Sequence, residues 1–227
     1  MIKTKDVREH MSLVRQDNFS DEYVIKEVVG SYGKLRLKGK KVLDLGANIG
    51  AFSVYAALCE AKEVVAYEPD PINFQVLKEN TQAWEPPATP NAIGSYYPLS
   101  TNIEGAVTMS KEGHIPFYVS DGPNKGIHST LAFNGRAEIE VQNHYFPSVL
   151  AKHKPQVIKM DVEGEEHNLL LHTLPKYVKE IVVEIHFNKR NFRDSWLSLT
   201  AQFRSWHSLR EPKETGKNWH TLGHWRR

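Results

Sequence analysis

Four carboxylates stand at or near the ends of short apolar runs. They are Asp44 after Val42-Leu43, Glu68 after Val64-Val65-Ala66-Tyr67, Asp161 after Val157-Ile158-Lys159-Met160, and Glu184 within Ile181-Val182-Val183-Glu184-Ile185. Open α/β sheets bind ligands beyond the carboxyl ends of their strands. A sheet packed only for stability would place small or apolar residues there. Asp44 opens the run Asp44-Leu45-Gly46-Ala47-Asn48-Ile49-Gly50, a tight turn in which Gly46 and Gly50 let the backbone bend and a ligand approach closely. The pattern differs from the three-glycine dinucleotide fingerprint, so a nicotinamide dinucleotide is the less favoured ligand. An acid at the strand end with two glycines suits a ligand carrying an amine and a ribose. Glu68, 24 residues beyond Asp44, is placed to accept hydrogen bonds from ribose hydroxyls.

Asp161, Glu163, Glu184 and His186 are the candidates for a second task, removing or stabilising the proton of an acceptor hydroxyl. His186 suits a base because an unperturbed imidazole titrates near ~6.5. Asp161 and Glu184 holding a divalent cation, with His186 as third ligand, is the less favoured alternative, since no ligand spacing forces it. His128 lies in a glycine-containing polar loop where substrate contacts are often carried, although a solvated loop histidine is the plainer reading. Lys159 points opposite to Met160 and reads as structural or solvent-facing.

The elements that must position these groups follow in order. Residues 1–18 read as an arm or short helix, and Tyr23 to Tyr32 as an amphipathic helix capped by Ser20 or Asp21. The first strand, the glycine turn, a helix through Val54 and Leu58, the strand to Glu68 and a helix over 73–80 form a βαβ unit. Residues 84–92 are a proline-rich loop, and Asn91 to Gly94 a short third strand. Residues 103–141 read as a β-rich insertion over the substrate side, with 137–141 as an edge strand. A helix over 144–153, the strand ending at Asp161, a helix from Asn168, a short helix from Pro175 and the strand 180–186 complete the core. Trp196, Leu199 and Phe203 share a helical face.

The 227 residues fit one domain with a single large core. The net charge of +2 makes the whole molecule no obvious polyanion binder, yet residues 201–227 carry six Lys/Arg against two Glu. That tail, with Trp206, Trp219 and Trp225, either stacks on nucleic acid or covers the sheet edge, and packing is the favoured reading. One cysteine, Cys59, excludes an internal disulfide and a cysteine-cluster zinc site. With no signal peptide and no long apolar run, a soluble cytoplasmic protein with no membrane partner is expected.

The segments VLDLGANIGAFS, VVAYEPDPINFQVLKEN, NAIGS, VIKMDVEGEEHNLL and VVEIH occur in an order that resembles the FkbM-like methyltransferases, over about residues 20–187. The resemblance implies a Rossmann-like class I methyltransferase fold, α/β, with a doubly wound, mostly parallel seven-stranded sheet. It also implies methyl transfer from S-adenosyl-L-methionine, typically to an oxygen of a sugar or other small acceptor. Asp44, Gly46, Ala47, Asn48, Gly50 and Glu68 would bind the cofactor, with Ala92 and Ile93 near the adenine and Asp161 closest to the transferred methyl. The proline loop at 84–90 and the tail after Asn188 depart from the family pattern. A nucleic-acid methyltransferase using the basic tail, and a non-catalytic binding module, are the alternatives; the acids at Asp161 and Glu184 argue against the latter.

Overall fold

The structure is a computed structural model that describes residues 2–15, 19–82, 99–120, 128–130, 136–186, 201–210 and 220–227. Ten strands and six helices are described. After α1 (Thr4–Glu9) and α2 (Phe19–Tyr32) come β1 (Lys41–Leu45), α3 (Ala51–Leu58), β2 (Glu63–Glu68), α4 (Pro71–Gln82) and β3 (Leu99–Glu104). Then follow β4 (Ala106–Thr108), β5 (His114–Ser120), β6 (Arg136–Tyr145), α5 (Phe146–His153), β7 (Val157–Met160), α6 (Glu166–Leu169), β8 (Glu180–His186), β9 (His207–Arg210) and β10 (His220–Arg226).

Seven strands form the main sheet in the order β3-β2-β1-β7-β8-β10-β9. Its first five are parallel, and β10 enters antiparallel to both β8 and β9. The apolar runs of β1, β7 and β8 are buried along nearly their whole length, as a strand covered on both faces requires. Successive side chains alternate between two apolar clusters. Val42, Val64, Val157 and Val182 pack with Ile25, Val28 and Phe52 of α2 and α3. Leu43, Leu45, Ile158 and Met160 pack instead with Phe146, Leu150 and Leu169 of α5 and α6.

The third strand of the sheet is Leu99–Glu104, paired with all of β2; the segment 91–94 expected there lies outside the described residues. The β-rich stretch after β3 is a separate three-stranded sheet, β4-β6-β5. Residues 137–141 belong to its central strand and not to an edge, because β6 is long enough to pair with β5 at one end and β4 at the other. Residues 144 and 145 extend that strand, so the helix expected from 144 begins at Phe146. Pro175 opens a turn closed by the Val178 N–H to Pro175 carbonyl bond, and no helix forms there. The helical face at 196, 199 and 203 has two of its three members outside the described residues.

The tail packs as β9 and β10. Trp225 stacks on Phe203 at 4.5 Å and 10°, and Arg227 lies 4.2 Å over the Trp206 ring. Such pairs contribute about 1 kcal/mol each beyond the area they bury. Trp225 sits inside the sheet and not on its edge, since β9 lies beyond β10. Trp219 lies outside the described residues.

Candidate active site

Register places the acids. Leu45 is level with Tyr67 on one side and Met160 on the other, so the chain turns out of β1, β2 and β7 at one edge. Met160 is level with Val183, and β8 runs on for three residues, which carries Glu184 and His186 past that edge. Asp44, Glu68, Asp161, Glu184 and His186 are thereby brought to one end of the sheet.

The glycine turn is dictated by crowding. Gly46 has φ +72°, and a Cβ there would lie 1.7 Å from the Asp161 carbonyl oxygen; Gly50, at φ +87°, would press one on Leu77 at 2.8 Å. The Gly46 and Ala47 amides both donate to the Tyr67 carbonyl, at 3.1 and 3.0 Å, which folds the turn back onto the end of β2. Asn48 takes a left-handed conformation at φ +50° and donates its amide to Glu68 Oε2 at 2.7 Å. The other Glu68 oxygen accepts the Asp70 amide at 3.0 Å. Burial pushes the Glu68 carboxyl up to about 8, against the lowering effect of those two amides.

Asp44 and Lys159 are register partners on adjacent strands and share one face. Asp44 is fully buried, bonded to Ser53 Oγ at 2.8 Å and ion-paired with Lys159 Nζ at 3.3 Å. Lys159 also donates to the Gly46 carbonyl at 2.5 Å and lies 3.7 Å from Asp161. Burial alone would lower this ammonium, but the Asp44 and Asp161 carboxylates outweigh it and raise it. Of the two readings of Lys159, structural or solvent-facing, the structural one holds: it is buried beneath the turn. Its only sequence signal is a lone cation inside an apolar run.

The acceptor-side residues gather around Glu166, which is fully buried. Glu166 accepts the Gly164 amide at 2.7 Å and the His186 amide at 2.6 Å, and faces His186 Nδ1 at 3.3 Å. Glu163 meets His186 Nε2 at 3.3 Å from the other side. Burial alone would lower His186; the Glu166 hydrogen bond and the surrounding carboxylates instead raise it to about 10. Both glutamates thus favour the protonated ring. Burial and Glu184 raise Asp161 to about 6, offset by Lys159 and His186. Burial raises Glu163 as well. Asp161, Glu163 and His186 each offer one donor atom within 4.8 Å of the others, a spacing a cation could bridge. Sequence reasoning had not singled out Glu166; its only signal was a second glutamate in Glu165-Glu166 just after Gly164.

Two adjoining hollows meet at this edge. One, of about 600 Å³, is lined by Gly46, Asn48, Glu68, Asn73, Asp161 and Glu163, by Gly105 to Val107 after β3, and by Phe117 and His128 of the insertion. The other, of about 330 Å³, lies between the glycine turn and α2 and is lined by Glu27, Tyr32, Phe52, Lys159 and Asp161. Asp161 borders both. His128 is buried and not solvated: its Nδ1 accepts the Ser120 amide at 3.0 Å, and its Nε2 lies 3.7 Å from Asp70. Ala92 and Ile93 lie outside the described residues, and Gly105 to Val107 are the described residues that follow the third strand into the hollow.

The fold compares with known methyltransferases. The FkbM methyltransferase of Methylobacillus flagellatus is 15% identical with a TM-score of 0.54, over 98% of this chain and 57% of that one. Fibrillarin of Aeropyrum pernix, crystallised with natively bound S-adenosyl-L-methionine, is 10% identical with a TM-score of 0.51, over 88% of this chain and 74% of its own. This chain therefore spans little more than half the length of the former. No curated protein matches it in sequence. The model of the methyltransferase FkbM domain matches residues 44–214, from the acid at the end of β1 to beyond β9. With most of its length inside that match, the chain belongs to the FkbM family of S-adenosylmethionine-dependent methyltransferases.

Proposed function

We propose that this protein methylates a hydroxyl of a sugar or another small acceptor, with Asp161 as the group nearest the reacting oxygen. The observation that carries the reading is the junction of the two hollows at Asp161, beside an imidazolium pinned by two glutamates. The residues present fit the cofactor. Gly46 and Asn48 line both hollows, and Glu68 is a buried carboxylate on the wall where a ribose would lie. Gly46, Ala47, Asn48, Gly50 and Glu68 would hold it, with Gly105 to Val107 around the adenine and Glu27 and Tyr32 facing the amino-acid end. When bound, it supplies an electrophilic methyl group on a sulfonium.

The protein's own share is orientation and proton handling. Holding acceptor and donor in line accounts for much of the acceleration in a displacement of this kind. Asp161 accepts the hydroxyl proton, and Lys159 behind it steadies the carboxylate that must be free to do so. His186 donates and does not take a proton, since the carboxylates around it keep it charged. Glu184 adds negative charge beside Asp161 and raises its proton affinity.

Turnover is accordingly expected to rise with pH through about 6, as Asp161 loses its proton, and to fall toward about 10, as His186 loses its own. A profile flat through about 6 would remove Asp161 from the proton path, and one flat through about 10 would remove His186. Glu68→Ala should weaken S-adenosylhomocysteine binding by on the order of 1–3 kcal/mol in calorimetry, because two turn amides and a ribose contact are left without an acceptor. Unchanged affinity would take Glu68 out of the site.

The acceptor class is tested by incubating the protein with methyl-tritiated S-adenosylmethionine and, separately, a small-molecule extract and total RNA. Label in the small pool is the expected result, and label in RNA would overturn the reading. Among the described residues of the tail, Arg226 pairs with Glu180 and Trp225 is buried, which leaves Arg204 and Arg227 as its exposed cations.

A further inference from the structure

The end of the sheet opposite the cleft carries the reverse charge. Lys34, Arg36 and Lys38 precede β1, Lys62 precedes β2, Lys152 and Lys154 precede β7, and Lys176 and Lys179 precede β8. All of these are exposed, as is Arg227 at the end of antiparallel β10. Backbone bonds make the segments neighbours: Lys62 N–H to Lys40 carbonyl, Gln156 to Lys41, Lys179 to Gln156 and Arg227 to Lys179, each at 2.8 Å. The acids within these segments are already neutralised. Glu60 pairs with Lys38 at 2.6 Å, Glu63 with Lys41 at 2.8 Å, and Glu180 with His224 and Arg226, so the charge of this end is that of the cations other than Lys38 and Lys41. A molecule of net charge +2 thus has an acidic catalytic end and a basic opposite end.

We propose that this basic end is a docking surface for an anionic lipid bilayer, which holds the protein with its cleft turned away from the membrane. The patch is two-dimensional. It crosses four strand spacings, about 19 Å. It also extends to both sides of the sheet, because Lys34 to Lys38 follow α2 of one apolar cluster and Lys152 and Lys154 end α5 of the other. A flat array of this kind matches a charged plane better than a single strand of phosphates. Its cations are mostly lysines, point charges suited to a diffuse field and not to bidentate recognition of individual phosphates. Among the described residues of this end no exposed aromatic offers a stacking platform, since Trp206 lies beneath Arg227. The seven residues of β8 put roughly 23 Å between this surface and His186. A polyanion held here is therefore an anchor and not the acceptor, and the inference stands apart from the acceptor's identity. No described helix is long and apolar enough to cross a membrane.

Co-sedimentation of the whole protein with phosphatidylcholine vesicles, with and without phosphatidylserine, tests this. Pelleting only with the anionic vesicles, and release on adding salt, are expected. Reversing Lys34, Lys152, Lys176 and Lys179 to Glu together should lower partitioning by about tenfold or more. The circular dichroism spectrum and S-adenosylhomocysteine binding of that variant should match the wild type, which separates lost docking from lost folding. Failure to pellet, equal pelleting with neutral vesicles, or retention of a mixed-sequence ribo-oligonucleotide in place of vesicles would each overturn the proposal, the last in favour of a nucleic-acid anchor.

Discussion

Asp161→Asn is expected to lower methyl transfer by roughly 10²–10⁴-fold, the usual contribution of a positioned proton acceptor. S-adenosylhomocysteine binding should stay within about tenfold, a change of under ~1.4 kcal/mol. The asymmetry follows from where Asp161 stands. Its backbone amide is fixed by the Leu45 carbonyl at 3.0 Å, so the exchange leaves the turn in place, while its side chain borders both hollows. Asn presents the same shape but cannot take a proton at neutral pH. Single-turnover rates and calorimetry on the same preparation separate the two quantities. Wild-type rates would move the acceptor site elsewhere, and His128, buried on the wall of the larger hollow, would be the next residue to change. A chelator that silences the wild type, with Mg²⁺ or Mn²⁺ restoring it, would replace the imidazolium account of His186 with a metal one.

Lys159→Met should destabilise the protein by about 3–5 kcal/mol, the cost of leaving a buried charge without its partner. Asp44 is fully buried and would keep only the Ser53 hydroxyl, while the Leu45 and Gly46 carbonyls would lose their donor. Adding Asp44→Asn should recover much of that loss, because the stranded charge goes with it. Urea unfolding of the two single variants and the double variant measures the coupling. A single Lys159→Met variant within about 1 kcal/mol of wild type would show the pair to be no more than a surface ion pair in strength.

Much of this was legible in the chain alone, for local reasons. Strands β1, β2, β7 and β8 announce themselves as apolar runs long enough to be buried on both faces, and each brings an acid with it. The turn is legible because Gly46 and Gly50 stand where no side chain fits. Those signals lie within a few residues of one another, and so do their physical causes.

What only the tertiary structure decided depends on residues far apart in sequence. His186 reads as a base from its type, yet Glu163 and Glu166 converge on it across the β7–β8 step and make it a cation. Lys159 reads as structural or solvent-facing, and register decides for the structural role by setting it against Asp44, 115 positions earlier. The tail shows no period because β9 and β10 take their order from the sheet they enter, with β10 filling the place beside β8 ahead of β9. The basic end is the fullest case. Its lysines are scattered from position 34 to position 179 and average away in a net charge of +2, until four strand starts bring them to one edge. Sequence fixes which groups a strand carries and which face each takes; pairing across strands fixes their neighbours, and neighbours set charge state and therefore chemistry.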